Sequence, residues 1–117
     1  MAVTAARSIA VTFSGDINAT NTFPAASNGA SPGSVTIHTL AAGDNTITVP
    51  TGGATVKGAT IIPPTGNTNS LTLKGVGGDT GIVLSKVDPA SISFEVAPAN
   101  FVLNAGGTTS GVRIVWS

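Results

Sequence analysis

Residues 70–84 read SLTLKGVGGDTGIVL. Leu71 and Leu73 alternate with Thr72 and Lys74, which is the two-residue period of a strand with one buried face. Gly75, Gly77, Gly78 and Asp79 then break the pattern, because glycine reaches the positive φ of tight turns and Asp bonds its own backbone there. Alternation resumes with Ile82 and Leu84. Two strand candidates therefore flank a turn, with no room for a helix.

The same unit recurs outward at intervals of about ten residues, the spacing of a sandwich or barrel. Residues 8–14 place Ile9, Val11 and Phe13 on one face. Residues 34–40 set Val35 and Ile37 against Thr36, His38 and Leu40. Residues 45–49 carry Ile47 and Val49, and residues 55–62 alternate less cleanly, with both faces apolar near Ile61 and Ile62. Ile92, Phe94 and Val96 form another alternation, residues 100–103 a short one, and residues 111–116 a last one, with Val112, Ile114 and Trp116 opposite Arg113. Breakers fall between them at 42–45, 51–53, 63–67, 77–79, 87–89 and 105–107. Only residues 85–90 have the makings of a single helical turn. The expectation is an all-β, single-domain antiparallel sandwich over residues 1–117, jelly-roll-like, with eight or nine strands. An immunoglobulin-like sandwich is the alternative, and strand count alone does not separate the two.

Composition agrees. Thr, Val and Ile supply 38 of the 117 residues and Leu only 5, and β-branched side chains suit a pleated surface better than a helix. Five basic residues balance five acidic ones, and only 9 % of residues are charged. Arg7, Lys57, Lys74, Lys86 and Arg113 are scattered singly, whereas nucleic-acid binding needs clustered cations. Zero net charge favours association, which points to a homo-oligomer or multi-copy assembly. There is no Cys, hence no disulfide framework or thiolate site. Residues 1–7 lack the pattern of a secretory signal. No apolar run is long enough to span a membrane as a helix, so no membrane partner is expected.

One connection is long. Residues 16–33, DINATNTFPAASNGASPG, are polar or small apart from Ile17 and Phe23, and structureless connections of this length are uncommon unless functional. Phe23, followed by Pro24, is an aromatic anchor for a neighbour's pocket in one reading; in the other it folds back on its own sandwich. Residues 1–7 read as an N-terminal arm able to order against the same neighbour, which adds Val3 and Arg7 to the partner-binding candidates.

Catalytic constellations are weak. Asp79-Thr80-Gly81 matches the motif of homodimeric aspartic proteases, whose paired carboxylates share a proton. That motif follows an apolar strand early in the chain, whereas this one follows Gly77-Gly78 and opens a strand, so turn chemistry accounts for it. The glycines of 75–81 lack the following helix that a nucleotide loop requires. His38 has no carboxylate within five residues, which leaves it as a surface or interface residue. No Asp, Glu and His cluster has metal-ligand spacing. Trp116 alternates with core positions, as do Phe13, Phe94 and Phe101, and leaves no aromatic platform for sugar. No catalytic residue, cofactor or metal is expected, and the chain does not read as an enzyme.

The run from Asn45 to Pro50, then Ile61-Ile62-Pro63-Pro64, then Leu71 to Ile82, ending in Ala105-Gly106-Gly107 and GVRIVWS at 111–117, resembles small structural proteins encoded in tailed-bacteriophage genomes. The resemblance covers residues 35–117 and rests on turns and strands. It implies a virion component, assembled in the bacterial host cytoplasm: a capsid decoration or stabilising protein bound to the major capsid protein shell. The alternatives are a tail, baseplate or fibre component among tail proteins, or a carbohydrate-binding, host-adhesion module. No catalytic residues carry over.

Overall fold

The computed structural model describes residues 8–13, 19–24, 34–51 and 56–117, and every regular element among them is a strand. In chain order these are β1 (Ser8–Phe13), β2 (Ala19–Pro24), β3 (Ser34–Leu40), β4 (Gly43–Thr48), β5 (Gly58–Ile62), β6 (Leu71–Lys74), β7 (Ile82–Leu84), β8 (Ala90–Ser93), β9 (Asn100–Ala105) and β10 (Thr109–Trp116). β1 and β2 form a two-stranded sheet of their own. The other eight form two four-stranded sheets, ordered β3-β10-β5-β8 and β4-β9-β6-β7.

Every pairing between these strands is antiparallel, and the pattern has one origin. β6 pairs β7, β5 pairs β8, β4 pairs β9 and β3 pairs β10. These are the rungs of a single long hairpin with its tip between β6 and β7. Rolling that hairpin on itself adds β10 to β5 and β9 to β6, which closes two sheets over one core. This is jelly-roll topology. Of the seven connections between β3 and β10, only the β6–β7 turn stays within a sheet. An immunoglobulin sandwich keeps consecutive strands A and B side by side, so the connectivity decides between the two alternatives.

The core is apolar and continuous. β10 contributes Val112, Ile114 and Trp116, all fully buried, and these meet Leu103 and Phe101 of β9, Leu71 of β6 and Ile61 of β5. Trp116 belongs to one sheet and Phe101 to the other; their ring centroids lie 5.9 Å apart at 52°, a tilted contact that fastens the layers face to face. A bulge sets the start of β10. Between Thr109 and Val112 the register against β3 slips by one residue, and Gly111 takes a φ of +82°. The extra residue lets both Thr109 and Val112 face inward.

Several sequence expectations change in detail. The connection 16–33 is not one loop: its middle is β2, paired to β1 with Phe23 opposite Ile9 and Pro24 opposite Ser8. Residues 43–45 extend a strand instead of breaking it. Asn45 makes this work by accepting the Ala41 N–H at 3.0 Å and donating to the carbonyls of Ala41, Gly43 and Leu103, so the corner from β3 to β4 has its polar groups satisfied. Residues 85–88 form a turn and not a helical one, because Ser85 Oγ accepts the N–H groups of Val87 and Asp88. Val96 does not continue the alternation of Ile92 and Phe94; it is 83 % exposed, beyond the end of β8.

Trp116→Ala removes the largest buried side chain and the inter-sheet ring contact together, and should destabilise the fold by about 3–5 kcal/mol in urea unfolding. An unchanged midpoint would mean the layers are held elsewhere.

Candidate functional site

β3 faces the opposite way from a simple apolar-in reading. Thr36, His38 and Leu40 share the inner side with Trp116, while Val35 and Ile37 point outward at 55 % and 67 % exposure. The Trp116 indole N–H donates to Thr36 Oγ1 at 2.9 Å. Thr36 Oγ1 lies 2.7 Å from His38 Nε2. The Thr36 hydroxyl thus accepts the indole proton and lies within hydrogen-bond distance of the imidazole, which links His38 to Trp116 through one side chain. His38 is thus half-buried and bonded, not a free surface group, and burial pushes its pKa down from the ordinary 6.5.

The Gly-rich turn after β6 folds over the outer side of the β4-β9-β6-β7 sheet and is pinned there by Asp44. The Asp44 carboxylate accepts from Asn104 Nδ2 at 2.7 Å, from Lys74 Nζ at 3.1 Å and from the Gly78 backbone. These bonds, Asn104 first and Lys74 next, hold its pKa below the ordinary carboxylate value. Asp79 serves the turn itself: its Oδ2 accepts the Val76 N–H at 3.1 Å. Gly81 ends the turn at φ +75°, where a Cβ would stand 2.5 Å from the Leu73 carbonyl oxygen, so only glycine lets the chain return this close to β6. Asp79-Thr80-Gly81 is therefore placed by turn and packing requirements.

A cleft of about 470 Å³ opens between the sheets on the β7–β8 side, walled by Ala59, Ile61, Leu73, Ile92, Phe94 and Phe101. Lys74 and Asp79 are the ionisable groups on its lining, and each is engaged locally, with Asp44 and with the Val76 N–H. The arrangement supplies apolar surface and no proton-transfer pair. Among the described residues, no three His, Asp or Glu side chains gather as a metal site, and no helix is long and apolar enough to cross a membrane.

The exposed large apolar side chains are unevenly placed. Beyond Val35 and Ile37 on β3, the described ones are Val76, Ile82, Val83, Val87 and Val96. They sit on β7 and in the connections before it, after it and after β8. Ile82 shares the face of Leu84, opposite Leu73, as the alternation expects, but that face borders the open cleft there and leaves Ile82 67 % exposed. Of the partner-binding candidates, Phe23 and Pro24 lie on β2, while Val3 and Arg7 fall outside the described residues.

No family model matches the chain, and no curated protein or solved structure matches it.

The two depressed pKa values set distinct pH windows. For His38 the unfolded chain takes up its proton first as pH falls, so the stability due to the neutral imidazole is complete above 6.5 and is lost as pH drops through the folded-state value. The thermal midpoint should therefore fall between neutral and mildly acid pH, and His38→Gln should flatten that slope. A second decline, removed by Asp44→Asn, belongs below the ordinary Asp44 value of 3.8.

Proposed function

We propose that this chain is a non-enzymatic structural component of a tailed-bacteriophage virion, a capsid decoration protein that binds the shell of the major capsid protein. The observation that carries attachment to another protein is the apolar surface around β7, where Val83 is 71 % exposed and Val76, Ile82, Val87 and Val96 are exposed with it. Exposed apolar side chains concentrated on one strand and the connections beside it, on a domain with so few charges, favour a protein partner. Contacts of this kind do not weaken with ionic strength as ion pairs do, which suits a particle that meets varied salt. The cleft supports the same direction, because its ionisable groups are occupied by structural contacts. The virion setting itself rests on the sequence resemblance over residues 35–117.

The test is binding of purified chain to phage particles that lack it. Val83→Asp should keep the thermal midpoint and lower occupancy on the shell about tenfold or more, as the loss of one buried interface anchor does. Co-fractionation with tails instead of capsid shells would move the chain to the tail. Absence from both would end the virion reading, and full occupancy by Val83→Asp would move the attachment surface away from β7.

A further inference from the structure

We propose that β3 is a self-association edge, through which two copies of this chain pair antiparallel about a two-fold axis and join their β3-β10-β5-β8 sheets into one. Four strands end the two sheets: β3, β8, β4 and β7. Exposed edges template pairing with other chains, and folded proteins blunt them with charge, proline or brevity. β4 carries Asp44, with Lys74 drawn against it. β8 is entered through Asp88 and Pro89 and left through Glu95. β7 is only three residues long. β3 has none of these devices. It runs for seven residues, SVTIHTL, with no Asp, Glu, Lys, Arg or Pro, and presents Val35 and Ile37 to solvent.

The composition of the strand names the occupant. Self-pairing sets each residue opposite another residue of the same strand, so any charge would sit close to its own copy; β3 carries no permanent one. A register centred on Ile37 engages the whole strand, with Ser34 facing Leu40 of the second copy and Ile37 facing its own counterpart. The nearest cation on this face is Arg113, opposite Ile37 on β10. Across the axis the two Arg113 residues stand three strand spacings apart, roughly 14 Å, beyond the screening length of about 8 Å at physiological salt. Val35 and Ile37 would then continue the apolar positions Val115 and Ile62 across both copies. The joined sheet ends in β8 at both sides, and β8 is protected, so assembly along this sheet closes at two copies. This inference does not depend on the virion reading and is tested without particles.

Sedimentation velocity of the full chain at micromolar concentration should show a dimer. Ile37→Lys, a charge at an exposed site, should give a monomer with an unchanged circular dichroism spectrum and thermal midpoint. Ile37→Cys, the sole thiol in the chain, should oxidise to a disulfide dimer, because directly opposed residues have Cα atoms about 4.5–5.5 Å apart; Ser93→Cys on β8 should not. A monomeric wild-type chain overturns the proposal, as does a dimer that survives Ile37→Lys. A monomer in which the β3 amides that point away from β10 also resist hydrogen exchange overturns it in favour of the chain's own residues 1–33 covering the edge.

Discussion

The hydrogen bond from the Trp116 indole to Thr36 orders much of this molecule. Trp116 is completely buried, and a buried indole N–H without an acceptor carries a desolvation cost of about 1–3 kcal/mol. The acceptor is Thr36, on the strand next to β10. Turning Thr36 inward brings His38 and Leu40 in with it, because side chains alternate along a strand. It also turns Val35 and Ile37 out. The buried polar chain and the exposed apolar edge are therefore two faces of one choice. A local hydrophobic count favours the reverse orientation, since Val35 and Ile37 are more apolar than Thr36 and His38; satisfying the indole and burying Leu40 outweigh it.

Much of the fold was legible, for identifiable reasons. The alternations around Leu71, Ile114 and Ile92 have period two and are bounded by glycine or proline, so their strands were readable from local pattern. Strand number and sheet division limited the alternatives to a jelly roll or an immunoglobulin-like sandwich. The choice between them is a matter of long-range pairing, Thr36 with Ile114 and Asn45 with Leu103, which no local window contains. β2 escaped notice because ATNTFP is poor in apolar residues and ends in proline. Residues 43–45 have turn composition, and only the four bonds of Asn45 show why a strand tolerates them.

The site was less legible than the fold. Exposed Val83, Ile82 and Val96 look like core residues in sequence, since hydrophobicity reveals which side chains gain from burial and not which partner buries them. Asp79 was identified as a turn residue from Gly77-Gly78, and the Val76 N–H bond supplies the reason. The role of Asp44 depends on Asn104 and Lys74, which the roll brings to it from β9 and β6. His38 lacked any sequence neighbour to suggest a bond; its partner Thr36 is two residues away, yet the buried indole that fixes this pair is distant in sequence.

The position of β10 constrains how the chain is made. It lies between β3 and β5, so the central strand of that sheet is synthesised after both of its neighbours. At ordinary translation rates the stretch from Ile62 to Thr109 takes on the order of 2–10 seconds to emerge, and until then β3 and β5 have no strand between them. The nascent chain is thus committed to folding this sheet after β10 leaves the ribosome, by a late insertion of high contact order. The interval in which β3 and β5 stand open is the one in which chaperone capacity and the rate of synthesis set the yield of folded protein.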